Sequence, residues 1–145
     1  MGTEIHFYHN TPDRLAAACR IASRAVAAGR RLAIRIPDEP MRRRFDQLLW
    51  TAEPRGFVPH VAADSPLAGE TPIVFGGADE DWPHRDVLLN LGNDEPSGFE
   101  GFAMLMEVVG TDEPSRLAAR ARWRDYKARG MAPIPHDLAQ RSAAE

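Results

Sequence analysis

Arginine, lysine and tryptophan side chains recur at helical spacing near the C-terminal end of this 145-residue chain. They occupy positions i, i+4, i+7, i+8 and i+11 of a predicted helix, namely Arg116, Arg120, Trp123, Arg124 and Lys127. Since those offsets lie on one helix face about 100° wide, we expect a basic face that includes an aromatic ring. Arginine binds carboxylates through two parallel hydrogen bonds, and tryptophan adds apolar contact area. The pattern therefore indicates a recognition surface for an anionic ligand with an apolar part.

The same helix is far more basic than the rest of the protein. Residues 115–129 contain six basic side chains and one acidic side chain, whereas the whole chain carries a net charge of −3. A solvated basic helix face is the simpler interpretation of such a charge run, but the tryptophan among the arginines weighs against it. Arg122 and Arg129 lie behind the basic face, so we expect their replacement to matter much less for binding of a ligand at that face. The overall charge argues against a protein that coats nucleic acid along its length.

A second candidate surface follows the second predicted helix. Trp50 lies at the end of that helix, and Phe57 and Pro59 belong to a loop that is rich in prolines. Large apolar side chains in such a loop either fill the core or form an exposed docking patch. The residue pattern leaves these two alternatives open.

Residue patterns that support catalysis or cofactor binding are missing. Residues 9–13, between the first predicted strand and helix, contain no glycine, although a dinucleotide fold needs glycines there. No P-loop and no serine-nucleophile motif occurs. Cys19 lies on an apolar helix face, as buried structural thiols do, and residues 79–81 form an acidic stretch that we interpret as an exposed loop. We therefore predict no cofactor, no metal and no catalysis, with a small α/β enzyme as an alternative.

Alternating strands and helices must position these surfaces. Apolar runs predict strands over residues 5–8, 32–36, 73–75, 87–91 and 104–109. Three helices are predicted, and they begin at Thr11-Pro12-Asp13, at Asp38 and near residues 112–114. The first of them is predicted to end at Gly29 and the last at Gly130. This alternation predicts an α/β fold, a single three-layer domain with a mostly parallel sheet. The domain is predicted to span residues 1–131, with residues 132–145 as a loosely held tail.

Length and composition set further limits. A chain of 145 residues makes one domain of ordinary size, and its single cysteine excludes an internal disulfide framework. No apolar run reaches the roughly 20 residues of a transmembrane helix, and the N-terminus lacks the basic flank and apolar stretch of a secretory signal. We therefore expect a cytoplasmic protein without membrane contact.

Three segments together resemble one known family. They are Leu49-Trp50 with Phe57-Val58-Pro59-His60, then residues 85–91, and finally residues 120–127 followed by Gly130. With Phe7-Tyr8 and the first helix, their order and spacing resemble the chi subunit of bacterial DNA polymerase III holoenzyme over nearly the whole chain. The resemblance implies a nucleotide-binding-like topology without a glycine-rich loop. It also implies a non-catalytic accessory subunit of the clamp loader.

The resemblance further implies two protein partners. The psi subunit of the clamp loader would contact Trp50, Phe57 and Pro59. The acidic C-terminal tail of the single-stranded DNA-binding protein, which ends in an aromatic residue, would bind Arg116, Arg120, Trp123, Arg124 and Lys127. Contact with single-stranded DNA would then be indirect. The alternative is a protein that binds single-stranded nucleic acid directly through the same basic helix.

Overall fold

The computed structural model describes residues 2–51 and 59–139 of the chain. Within these ranges the chain forms seven strands and three α-helices, and the α/β fold that the sequence predicts is confirmed. The strands are β1 (Glu4–Thr11), β2 (Leu32–Arg35), β3 (His60–Ala62), β4 (Ile73–Gly76), β5 (Val87–Asn90), β6 (Met104–Gly110) and β7 (Ile134–Asp137). The helices are α1 (Arg14–Ala27), α2 (Glu39–Thr51) and α3 (Glu113–Ala128).

All seven strands form one parallel sheet in the order β3-β4-β2-β5-β6-β1-β7. One face carries a core cluster to which α1 and α2 contribute, with Ala18, Phe45 and Leu49 almost fully buried. The other face carries a second cluster to which α3 contributes Ala119 and Tyr126. Helices therefore cover both faces, and the predicted three-layer fold is confirmed.

The chain reverses its direction across the sheet between β1 and β6. After β1 it crosses one face through α1 to β2, whereas after β6 it crosses the other face through α3 to β7. The two strands are neighbours, with Ile5 of β1 opposite Leu105 of β6. Their carboxyl ends therefore form a topological switch point, the place where open α/β sheets leave a crevice for ligands.

The helix termini follow local hydrogen bonding. The Asp13 carboxylate caps α1 by accepting a hydrogen bond from the Ala16 N–H at 3.1 Å. The N-cap of α1 is therefore Asp13. Thr11, where the sequence predicts that the helix begins, is instead the last residue of β1. The predicted Asp38 cap of α2 is confirmed, since its carboxylate accepts from the Met41 N–H at 3.0 Å. No helix in the described ranges is long and apolar enough to cross a membrane.

The two edge strands were not predicted. β3 lies in the proline-rich stretch after α2 and has only three residues. β7 lies within residues 132–145, so the prediction of a loosely held tail is wrong for residues 134–137, which pair with β1. Pro135 sits in this strand, where an edge position tolerates a residue that cannot donate a backbone hydrogen bond.

Candidate functional site at the carboxyl ends of β1 and β6

Helix α3 begins and ends at signals that the sequence contains. The Asp112 carboxylate caps it by accepting from the Ser115 N–H at 3.1 Å, and Pro114 occupies its first turn. Gly130 follows its end with a φ of 86°, a left-handed conformation that favours glycine. The side chains that face the sheet are Ser115, Ala119, Arg122 and Tyr126, which fixes the face left for solvent.

A cavity of about 590 Å³ lies at the switch point, beside α3. Its apolar walls include Phe7 of β1, Val109 of β6 and Ala119 of α3. Arg116, Arg120 and Trp123 also line it. Residues at the carboxyl ends of β1 and β6, among them Asn10 and Gly110, line it as well, and so does Pro135 of β7. The cavity therefore joins an apolar interior to cationic side chains from one helix.

The arginines of this face are available to a ligand. Arg116, Arg120 and Arg124 are exposed, and they make no hydrogen bond or ion pair within the described part of the chain. By contrast, Arg129, the residue that follows α3 as its C-cap, pairs with Glu95 and, at 2.7 Å, with Asp125. An unpaired guanidinium keeps its donors free to form charge-assisted hydrogen bonds with a bound anion.

The Trp123 ring links the basic face to the core. It is half-buried and meets Phe7 edge-on, with ring centroids 5.2 Å apart and planes at 68°. The Lys127 ammonium lies 5.9 Å from the centre of the same ring, within reach of a cation–π interaction. The structure thus brings Arg116, Arg120 and Trp123 to one cavity. Lys127 lies against Trp123, and Arg124 lies on the outer side of the ring.

Arg122 differs from what the sequence suggested. It is only 6% exposed, and its guanidinium donates to Glu107 of β6 through Nε at 3.1 Å and a terminal nitrogen at 3.2 Å. A third donor reaches the Asn93 carbonyl at 2.7 Å. The sequence places Arg122 behind the basic face, and its burial agrees with that position; its pairing with a buried carboxylate adds a role in stability that the sequence analysis did not predict.

Glu107 is the centre of a buried polar network. It is completely buried and also accepts hydrogen bonds from the Asn90 amide at 2.7 Å and the Tyr126 hydroxyl at 2.9 Å. Burial raises the pKa of the Glu107 carboxyl, and the Arg122 charge opposes that rise. Burial and the neighbouring Glu107 charge raise the pKa of Tyr126. Since Arg122 and Tyr126 both belong to α3, these bonds fix the rotation of the helix and hence the outward direction of Arg120 and Trp123.

The second candidate surface lies beside β3, at the opposite edge of the sheet from β7. Trp50 at the end of α2 is 56% exposed, so it is not a core side chain. The Trp50 and His60 rings are T-shaped, with centroids 5.1 Å apart, and His60 of β3 in turn forms a hydrogen bond with Asp46 at 3.0 Å. Pro59 is also exposed. Phe57 lies outside the described residues.

The remaining chemical candidates are structural in the described ranges. Cys19 is 3% exposed, and burial raises the pKa of its thiol to about 11, which disfavours the reactive thiolate. Glu80 of the acidic stretch accepts a hydrogen bond from the Gly77 N–H at 2.9 Å. No group of three or more His, Cys, Asp or Glu side chains within residues 2–51 and 59–139 is arranged to hold a metal ion.

Comparisons with known proteins place the chain among its relatives. A family model described as DNA polymerase III chi subunit, HolC, matches residues 2–133. The chain belongs to this family. It is similar to the DNA polymerase III subunit chi of Pseudomonas aeruginosa, with 32% identity over 94% of this chain and 97% of the relative. The subunit chi of Escherichia coli is 31% identical over 78% of each chain, and that of Haemophilus influenzae is 26% identical over 78% of this chain and 79% of the relative.

Membership of the chi family confirms the resemblance found in the sequence. The match to residues 2–133 includes the basic face of α3 as well as Trp50, whereas β7 begins at the next residue. The chain is therefore a chi-family protein of DNA replication. The cavity walls contributed by Phe7 and Val109 were missed in the sequence, because they come from strands that only the folded sheet makes adjacent.

Proposed function

We propose that this chi-family protein is a non-catalytic adaptor that joins the clamp loader to protein-coated single-stranded DNA. Its switch-point cavity binds the acidic C-terminal tail of the single-stranded DNA-binding protein, and its Trp50 surface binds the psi subunit. The observation that supports the proposal is an apolar cavity that is lined by unpaired arginines and a tryptophan of α3.

The cavity suits a peptide that is acidic and ends in an aromatic residue. Its volume of about 590 Å³ lies within the usual range for small-ligand sites, and the walls from Phe7, Val109 and Ala119 offer apolar contacts to a ring. Arg120 at the same cavity has its donors free for the terminal carboxylate. The other basic side chains of the face attract acidic residues of the peptide over longer distances.

The same geometry favours a peptide over bare nucleic acid. Sequence-independent binding to single-stranded DNA uses a basic groove that follows the phosphates and aromatic rings on which successive bases stack. Here one ring, Trp123, is half-buried against Phe7, and the protein as a whole is acidic. A concave apolar site beside a few cationic side chains instead suits a peptide, which offers it one apolar side chain and one carboxylate. Direct binding of bare single-stranded DNA is the competing outcome of the experiments below.

Trp50→Ala is expected to weaken binding of the psi subunit by roughly 2 kcal/mol or more, as for aromatic hot spots. The melting temperature should change little, because the ring is more than half exposed. Calorimetric titration with purified psi measures the first effect and thermal denaturation the second. Leu117→Ala is the control, since Leu117 is similarly exposed but lies on α3. A large loss of stability with psi binding intact would contradict the proposal.

Trp123→Ala is expected to weaken tail binding by removing an apolar wall, so the loss should persist at high salt. Losses from arginine variants should shrink as salt rises, because screening shortens the range of their charges to about 3 Å at 1 M. Anisotropy titrations of a labelled tail peptide at low and high salt compare Trp123→Ala with Arg124→Ala. Trp123→Phe, which keeps an aromatic ring against Phe7, should retain most of the affinity. Equal salt sensitivity of the Trp123 and Arg124 losses would exclude an apolar role for the ring.

A further inference from the structure

A second, shallower concavity lies on the outer side of α3. It has a volume of about 360 Å³ and is lined by Leu117, Arg120, Trp123 and Arg124. Two of these residues, Arg120 and Trp123, also line the switch-point cavity. The two concavities are therefore neighbours that share the Arg120 and Trp123 side chains as a common wall.

Leu117 gives the outer concavity an apolar floor. Its side chain is 54% exposed, and Arg120 and Arg124 follow it at positions i+3 and i+7 of the same helix face. Single exposed leucines are common on protein surfaces and by themselves indicate nothing. This one lines a depression together with Arg120 and Arg124, two arginines that have no partner in the described ranges. Its surroundings thus repeat, on a smaller scale, the combination of apolar contact and positive charge found at the switch point.

We propose that the outer concavity is a second subsite for the acidic peptide, where Leu117 contacts an apolar side chain upstream of the C-terminal residue. The inference rests on the proposed function of the switch-point cavity. A peptide whose terminal ring occupies that cavity can continue across the shared wall onto the Leu117 side. There the charges of Arg120 and Arg124 complement its acidic residues. The outer subsite would select tails that carry an apolar residue among the acids, over tails that are acidic throughout.

A leucine scan of a synthetic peptide tests this subsite. The parent probe has three aspartates, two alanines and a C-terminal phenylalanine, with a fluorescent label at its N-terminus. In three further probes leucine replaces the first alanine, the second alanine or the last aspartate. Anisotropy titrations measure the affinity of each probe for the wild-type chain and for Leu117→Ala. Leu67→Ala is the matched control, because Leu67 is 56% exposed and lies in the segment between β3 and β4.

At one position, leucine is expected to raise the affinity of the wild-type chain roughly three- to tenfold over the parent probe, as partial burial of an apolar side chain does. Leu117→Ala should abolish that gain and leave the affinity for the parent unchanged, and Leu67→Ala should preserve the gain. The absence of a gain at every position, or a gain that survives Leu117→Ala, would overturn the outer subsite while the switch-point site stands. Failure of all four probes to bind the wild-type chain would overturn the proposed function and the subsite together.

Discussion

Arg122→Ala is expected to lower the free energy of unfolding by about 3–5 kcal/mol, the cost of leaving a buried charge without its partner. Glu107 is completely buried, and Arg122 supplies the only cation that donates to it within the described residues. Alanine would also leave the Asn93 carbonyl without this donor. Urea denaturation measures the loss.

Arg124→Ala is the matched control for this variant, because it removes an arginine two residues away whose side chain is exposed. It should change the free energy of unfolding by less than about 0.5 kcal/mol. Combining Arg122→Ala with Glu107→Gln should recover part of the loss, since the glutamine removes the buried charge and keeps a hydrogen-bonding group. Equal and small losses for Arg122→Ala and Arg124→Ala would show that the buried pair does not stabilise the fold.

Arg120→Ala is expected to weaken binding of the acidic tail peptide about ten- to a hundredfold, because charge-assisted hydrogen bonds contribute roughly 1.5–3 kcal/mol each. Arg120 lines both concavities, and Arg116 and Arg124 lie one turn away on either side. Since Arg120 is exposed and unpaired in the described ranges, its removal should leave the fold intact. Titration of a labelled tail peptide measures the effect, with thermal denaturation as a check on folding.

Arg20→Ala is the control for Arg120→Ala, because it makes the same change in charge on the opposite face of the sheet. Arg20 is an exposed residue of α1, with no partner in the part of the chain that the structure describes. Its replacement should change peptide affinity less than about twofold at physiological salt, where screening acts over about 8 Å. Similar losses for the two variants would indicate a diffuse charge effect and contradict a specific site at α3.

The central part of the sheet could be predicted because its strands are continuous apolar runs. β2, β4, β5 and β6 are buried on both faces, and such strands contrast sharply with their polar surroundings. β3 and β7 could not be predicted in this way. Both lie at the edges of the sheet, and β7 contains Pro135 and His136 in place of an apolar run. Their pairing depends on the neighbouring strand and not on their own composition.

The residues that α3 contributes to the candidate site could be predicted from the sequence, whereas those that the sheet contributes could not. Helical spacing alone brings Arg116, Arg120 and Trp123 to one face, and the structure places all three at one cavity. The strand order decides which other residues line that cavity, and spacing along the chain contains no information about it. Helical spacing places Arg122 behind the basic face, but the charge pattern does not show that this arginine is buried. Glu107 could have indicated that a cation is buried beside it, because a carboxylate inside an apolar strand needs a partner.

Nuclear magnetic resonance titration of the ¹⁵N-labelled chain tests the central claim most directly, because each tryptophan indole N–H gives its own signal. The chain contains three tryptophans, and Trp123 alone lines the switch-point cavity. Trp50 and Trp82 therefore serve as controls within the same sample. Addition of the acidic tail peptide is expected to shift the Trp123 indole signal saturably and leave those of Trp50 and Trp82 in place. Bare single-stranded oligonucleotide at the same concentration should shift none of them. A Trp123 signal that responds to the oligonucleotide and not to the peptide would contradict the adaptor and favour a direct nucleic-acid binder.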